Sequence, residues 1–406
     1  MNLPSFISRR LAFTASHSFS RLIIRVAITA VALSVAVMIV ASAIVNGFQK
    51  EISEKVFGFW GHITIRSLEQ KGSYGEVPVS IQQPFYPRME NLKGVKRIQV
   101  FATKAGILKA DKEIEGMVLR GIGKDFDWTF LKDYIVEGEI LIAEDSSSKN
   151  KILISKTTAN RLNLKTGDEI LVYFIQQPMR YRKLVVSGIY KTGLDEYDRL
   201  YALVDIGLIQ RINNWKSDEV GGFEVFIDNV SRLDYMGSLI NEEYIGQDLE
   251  AKTMKQINPN LFDWLDLQTM NERVIIVLMI IVAIINMTTV LLILILERTN
   301  MVGILKSLGA SNWMIRKIFL YHASYITGLG LLLGNVFGIS LCLIQKYFQL
   351  IRLPEESYYV SVAPILMNPY FIIAINLGTL FICLVTMIFP SYLVSRITPV
   401  KAIRFK

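Results

Sequence analysis

The chain is short of the residues that most enzyme chemistry needs. Of its 406 residues, two are cysteines and three are histidines. Cys342 and Cys383 both lie in strongly apolar runs, where a thiol behaves as a small hydrophobe, so there is neither a disulfide framework nor zinc-ligand spacing. His17, His62 and His322 are far apart in the chain and suggest neither a metal centre nor a histidine-based triad. No G-x-x-x-x-G-K-[ST] phosphate loop occurs. The nearest glycine-rich stretch, Gly116 to Lys124, lacks the Gly-Lys-Ser/Thr ending that would cradle phosphates, so the chain does not hydrolyse ATP by that route. Charge is also scarce, at 20% of residues against 51% hydrophobic. That composition excludes disorder and points away from a soluble enzyme towards an integral membrane protein.

What is present supports this. Four stretches carry no Asp, Glu, Lys or Arg and are long enough to cross about 30 Å of hydrocarbon: Val26 to Gly47, Val274 to Leu296, Ile318 to Gln345 and Tyr370 to Ser395. Apart from His322, near one end of the third, they hold no ionisable group of the kind that marks proton relays and ion pathways, which disfavours a channel or secondary transporter. Their polar residues, Asn286, Thr288, Thr289, Asn335 and Asn376, read as interhelical hydrogen-bonding partners. Gly330, Gly334 and Gly338 form a small-xxx-small face that admits a close helix neighbour. Ala41, Ser42 and Ala43 imitate a signal-peptidase site, but the apolar run exceeds the h-region of a signal peptide, and a retained span keeps the number of spans even.

The formal charge of +8 would tempt a nucleic-acid reading, and its distribution removes the temptation. Arg9, Arg10, Arg21 and Arg25 precede the first span, and Arg396, Lys401, Arg404 and Lys406 follow the last. The connector between spans two and three has Arg298, Lys306, Arg316 and Lys317 against Glu297. These segments hold +11, so the 226 residues from Phe48 to Arg273 are left with −3, a poor nucleic-acid binder. Lysine and arginine collect on cytoplasmic flanks. Both termini and the connector are therefore expected in the cytoplasm. The long segment lies on the other side, together with the loop in which Lys346 and Arg352 balance Glu355 and Glu356. Phe6, Ile7, Arg9, Arg10, Leu11 and Phe13 suit either a short interfacial helix or a solvated leader.

The expected organisation is a cytoplasmic interfacial segment (1–25), a first span (26–47), an extracytoplasmic α+β domain with stalk ends (48–273) and a second span (274–296). A connector (297–317), third span (318–345), short loop (346–369), fourth span (370–395) and tail (396–406) follow. The fold class is thus an α-helical membrane protein of four transmembrane helices with a large α+β domain inserted between the first two. Phe48, Glu51, Ile52, Lys55 and Val56 keep a helical period and predict a stalk. His62–Ile65, Ile152–Ile154, Ile170–Ile175, Lys183–Ile189 and Phe223–Ile227 read as strands, and Ser231–Glu243 as a helix. Gln176 to Arg182 forms the tip of a hairpin, either a protruding contact for a partner or an ordinary solvated turn. In the connector, Met301, Ile304, Leu305 and Leu308 form an apolar stripe, Gly309 suits a helix stop and Ser311 a cap for the next helix. Such a stripe lies on lipid or docks into another protein.

These residues carry a resemblance. Glu297-Arg298-Thr299 with Met301 to Ser311 is similar to the E-R-x-x-x-[IV]-G-I-L-K-[AS]-L-G-A-[ST] signature of FtsX-like ABC permeases. Pro390-Ser391-Tyr392 with Ser395 to Arg404 resembles the ending P-[AS]-x-x-A-[SA]-x-[IL]-x-P-[VI]-x-A-[IL]-R of the same superfamily. Asn46-Gly47-Phe48, Gly61-His62-Ile63 and Asp195-Glu196-Tyr197-Asp198 extend the likeness over the chain, towards lipoprotein-releasing permeases of the LolC/LolE type.

The resemblance implies a non-enzymatic permease subunit of the bacterial inner membrane, with no cofactor of its own. ATP is bound by a separate cytoplasmic ABC ATPase. It implies a second permease subunit, the same chain or a paralogue, and a membrane-anchored lipoprotein substrate that passes to a periplasmic carrier. ATPase-coupling positions are Met301, Ile304, Leu305, Leu308, Gly309 and Ser311. The carrier-binding hook matches Gln177, Pro178, Met179, Arg180 and Arg182, a few residues shorter than the family form. The lipoprotein cavity would take Met38, Ser42, Val45, Phe48, Leu265, Val274 and Leu278. Two relatives offer alternatives. One is an FtsX-like regulator of a cell-wall hydrolase, whose extracytoplasmic domain is smaller. The other is a MacB-like efflux permease, which usually carries a fused N-terminal ATPase where 25 residues precede the first span here.

Overall fold

A computed structural model describes residues 18–69, 76–89, 92–110, 113–143 and 148–392. The segment from Phe6 to Phe13 and the tail residues from Ser395 onward lie outside the described residues. The chain divides into two compact units. One holds the residues up to Lys50, Trp264–Arg352 and those from Val362; the other holds Glu51–Asp263 and Leu353–Ser361.

The first helix, α1 (Ser18–Trp60), is continuous over 43 residues, about 65 Å at 1.5 Å per residue. The expected stalk is therefore helical and runs four residues beyond Val56. Gly61 ends it, because its φ of +75° is left-handed backbone that a side chain resists. The Gly61 N–H donates to the Phe57 carbonyl at 2.8 Å.

The sheet unit follows. Its strands are β1 (Ile63–Ser67), β2 (Val79–Ser80), β3 (Val95–Ala110), β4 (Glu113–Ile122), β5 (Ile135–Gly138) and β6 (Lys151–Ser155), then, after α2 (Lys156–Leu162), β7 (Glu169–Phe174) and β8 (Arg180–Tyr190). Helix α3 (Asp195–Leu200), β9 (Tyr201–Asp205), α4 (Ile206–Asn213), β10 (Glu219–Val220), β11 (Gly222–Ile227), α5 (Leu233–Leu239) and β12 (Leu249–Thr253) complete it. The main sheet runs β12-β1-β11-β3-β4-β9-β6-β8-β5, and β7 bridges β3 and β8. Strands β3, β7, β8, β6, β9 and β4 consequently close into a ring, with β4–β9 and β6–β8 parallel and the other pairs antiparallel. By register, Leu108, Leu119, Val172, Phe174 and Leu184 share one face of the ring, and all are buried. The five strands read from sequence are present. The Ser231–Glu243 segment is less regular than expected: a 3₁₀ turn leads into α5, and a π turn at Ile240–Tyr244 follows it.

The helical unit contains α1 as far as Lys50, α6 (Pro259–Glu297) from Trp264, α7 (Thr299–Ser307), α8 (Asn312–Phe348) and α9 (Pro369–Ser391). Helices α1, α6, α8 and α9 are long and apolar enough to cross a membrane. In a bilayer no hydrophobic force separates helix from lipid, so close packing and interhelical hydrogen bonds hold the bundle. The glycine face does this. A Cβ on Gly330, Gly334 or Gly338 would lie 2.7–3.0 Å from Val31, Ala32 or Ala36 of α1. Asn335 and Asn376 exchange side-chain hydrogen bonds of 2.6 and 2.9 Å between α8 and α9, as two amides do when no water competes. Cys342 and Cys383 are buried apolar packing.

Candidate functional site

The residues singled out above fall into three groups. The first is the connector. Gly309, with φ +87°, ends α7 in a Schellman turn, its N–H donating to Lys306 O at 3.0 Å and that of Ala310 to Leu305 O at 2.9 Å. The Ser311 hydroxyl caps α8 by accepting from Met314 N at 3.3 Å. Gly309 and Ser311 therefore shape the turn. The apolar stripe splits in two. Val302 and Gly303 are buried, and Met301, Leu305 and Ala310 pack against the bundle core. Ile304 (54% exposed), Leu308 (78%) and Trp313 are left open. Trp313 belongs with the exposed face although its place in the next helix separates it in sequence. The Arg316 guanidinium, 4.5 Å from the Tyr392 ring, ties the start of α8 to the residue that follows α9.

The second is the β7–β8 hairpin. Its loop is shorter than expected, Ile175 to Met179, because the ladder runs on to Phe174↔Arg180. Two aromatic rings explain the extra pairs: Tyr173 and Tyr181 face each other across the ladder with centroids 5.9 Å apart. Gln177–Pro178 is a cis peptide bond. Met179 is 68% exposed, and Ile175 and Tyr181 are exposed beside it. Arg180 is not at the tip. Its Nη1 donates to Ile212 O at 2.7 Å, Arg211 O at 3.2 Å and Asn214 Oδ1 at 2.9 Å, closing the carbonyl end of α4 where the helix dipole favours a cation. Arg182 Nη1 donates to the neighbouring Tyr181 carbonyl at 2.8 Å, and the side chain is exposed.

The seven cavity positions do not share one surface of a single chain. Met38 is fully buried in the bundle core. Ser42 is buried and takes hydrogen bonds from Asn46 Nδ2 to its carbonyl (2.7 Å) and hydroxyl (3.1 Å). Val45 is half-buried, Leu265 is buried, and half-buried Phe48 meets Trp264 edge-on at 6.2 Å. Val274 and Leu278, by contrast, lie on an exposed apolar face of α6 with Val277, Ile281, Val282 and Ile285.

One buried site was not foreseen. Arg120 and Glu224 are fully buried in the sheet unit and paired through Nη2 at 2.6 and 2.7 Å. Gln99 Nε2 donates to the same carboxylate at 2.7 Å, and Arg120 Nη1 donates to the Phe59 carbonyl. The guanidinium sits 4.5 Å from the Trp60 ring and 4.9 Å from that of Phe59. A charge cluster thus grips the last turn of α1 beside β3, β4 and β11. The signal in the sequence was a lone charge in an apolar strand, Phe223-Glu224-Val225-Phe226. Among the described residues no group of three His, Cys, Asp or Glu side chains is placed to hold a metal.

Four helices long and apolar enough to cross a membrane, with a sheet unit entered from the first of them, define a membrane protein of the permease class. A model of the MacB-like periplasmic core domain matches residues 26–230, half of the chain, and the chain belongs to that family. The FtsX-like permease C-terminal model matches residues 273–399. More particularly, the chain is similar along its whole length to curated lipoprotein-releasing system transmembrane proteins. LolC of Xylella fastidiosa is 24% identical over 408 residues, covering 96% of this chain and 95% of the relative. LolE of Haemophilus influenzae is 23% identical, covering 99% of each. Among solved structures, the periplasmic region of MacB from Actinobacillus actinomycetemcomitans has a TM-score of 0.34 at 14% identity, over 49% of this chain and 91% of that one. The extracellular domain of the transporter YknZ from Gram-positive bacteria has a TM-score of 0.32 at 16% identity, over 47% and 98%.

Proposed function

We propose that this chain is the membrane subunit of an ABC transporter that extracts lipoproteins from the inner membrane and passes them to a periplasmic carrier. The observation that carries the reading is the whole-length similarity to proteins named for lipoprotein release. The chain does no covalent chemistry. A separate cytoplasmic ATPase binds and hydrolyses ATP and docks on Ile304, Leu308 and Trp313, the open apolar patch of the connector. Its closure moves α7, and the bundle transmits the stroke because glycine-packed helices have no slack to absorb it.

Both termini and the connector lie in the cytoplasm, and the α+β sheet unit, inserted between the first and second spans, lies in the periplasm. Helix α1 is the lever, a single 43-residue helix whose last turn is gripped by Arg120 within the sheet unit. A second permease subunit, this chain or a paralogue, covers the exposed face of α6, and acyl chains of the cargo enter between the two beside Val274 and Leu278. The carrier docks on Met179 and Tyr181 at the hairpin tip.

Depletion of the protein tests this directly. Outer-membrane lipoproteins are expected to accumulate in the inner membrane, and normal sorting after full depletion would sink the reading. Capture of a cell-wall hydrolase in place of a lipid-binding carrier would instead favour a regulator of the FtsX kind.

A further inference from the structure

The loop between the third and fourth membrane helices was expected to be a short neutral connection. It is a built element. At its neck the buried Gln345 side chain donates to Ile351 O and Ala363 O, both at 3.2 Å, and accepts from Ile351 N at 2.9 Å. Arg352 and Val362 form an antiparallel bridge, and Leu353 N donates to Ser361 O at 2.9 Å. Beyond the neck, Leu353–Ser361 belong to the sheet unit, although the residues on either side belong to the helical one.

Three contacts hold this tip within the sheet unit. Val360 is fully buried. Glu355 pairs with Lys191 at 2.7 Å, but both side chains remain partly in water, so this pair is a weak tie. The third is Lys55 on the stalk, only 8% exposed, whose ammonium donates to the Tyr359 carbonyl at 3.2 Å and stands 3.9 Å from Glu51. Room for it exists because residue 193 is glycine: a Cβ there would lie 3.2 Å from Lys55 Nζ. The Gly193 turn is itself fixed by buried Asp198, which accepts from Thr192 N, Thr192 Oγ1 and Gly193 N.

A lysine held with its head out of bulk water against a peptide carbonyl is a costly arrangement for packing alone, which an apolar side chain would satisfy better. Its directional bond fixes where the tip sits. We propose that the loop is a strap that gives the sheet unit a third mechanical connection to the membrane helices, alongside α1 and α6, and that Lys55 is its positioning residue and lock. The strap carries the stroke assigned to the ATPase above, so the inference rests on the proposed function for its purpose, though not for its existence.

The test uses the full chain with its ATPase in nanodiscs, read by amide hydrogen exchange with and without ATP plus vanadate. Lys55→Met keeps the aliphatic stem and removes the ammonium. Exchange at the Leu353, Tyr358 and Tyr359 amides is expected to rise about tenfold or more, the loss of one charged hydrogen bond, while β6 and β11 stay protected. The nucleotide-dependent change at the β7–β8 hairpin is expected to shrink while ATP hydrolysis continues. Val360→Ala, which loosens the tip without touching the lysine, should act in the same direction. Unchanged exchange over 353–361 in both variants would overturn the lock, and an undiminished hairpin response would overturn the strap as a transmitting element. Lipoprotein release by the wild-type complex is scored separately, and its absence would count against the proposed function alone.

Discussion

The buried pair Arg120–Glu224 is the costliest single feature of the sheet unit, since neither charge reaches water. Removing one partner leaves the other charged and unanswered, so Arg120→Met is expected to destabilise the sheet unit by about 3–5 kcal/mol. The double variant Arg120→Met with Glu224→Leu should recover much of this, and thermal melting of the purified chain measures both. A smaller loss in the single variant than in the double would refute the coupling. His62 supplies a pH-dependent term. Its Nδ1 accepts from Ile227 N at 3.3 Å and its ring stacks on Phe57 at 4.5 Å. Burial, with Arg97 and Lys96 nearby, lowers its pKa to about 4. The unfolded chain therefore takes up the proton first as pH falls. The contribution to stability is complete above the unfolded value of about 6.5 and is lost on the way down to about 4, amounting to roughly 3 kcal/mol. His62→Asn should flatten the melting temperature between those limits, and an unchanged slope would assign the acid sensitivity to other groups. Glu224 was legible as an anomaly in an apolar strand, but its partner was not, because 104 residues separate the two and only the β4–β3–β11 ladder brings them together.

At the scale of elements, the connector was read well and the hairpin less so, for one reason. Helical period and caps are local, so Met301 to Ser311 announce a helix, a left-handed stop and a restart. Which side of that helix faces out is decided by the bundle, and the structure divides the stripe between Ile304 and Leu308 outside and Met301 and Leu305 inside. Leu308→Glu is accordingly expected to lower binding of the ATPase at least about tenfold, the burial of one leucine, with little effect on melting of the bundle. Leu305→Glu should depress melting as well. Equal melting losses in the two variants would contradict the division. In the hairpin, Arg180 looked like a contact residue because its cation was read without α4, whose carbonyls it closes. Substituting it confounds recognition with folding. Met179→Glu and Arg182→Glu leave that cap intact and are expected to weaken carrier binding in a pull-down with the hairpin still formed. Undiminished capture by both would remove the tip as the docking surface.

For the whole molecule, charge distribution and apolar run length pointed to four long apolar helices and a large unit outside them, because both patterns are set by the bilayer rather than by tertiary detail. The closed ring of strands, the stalk's grip by Arg120 and the docking of residues 353–361 stayed hidden. Each depends on partners far apart in the chain, as with Lys55 and Tyr359. The orientation, which carries the rest of the mechanism, rests on +11 collected in three segments against −3 on the inserted one. The scarcity of cysteine makes it testable without a background. Cys342 and Cys383 are buried among apolar side chains and should remain silent towards a polar, membrane-impermeant maleimide. Ser217 of the sheet unit and Ser307 at the end of α7 are both exposed, so a cysteine is expected to be accommodated at either. With the arginine-rich ends inside, Ser217→Cys should label in intact spheroplasts, and Ser307→Cys only once the membrane is permeabilised. The reverse pattern would place the connector outside, beyond the reach of any cytoplasmic ATPase, and the transport reading would fall with it.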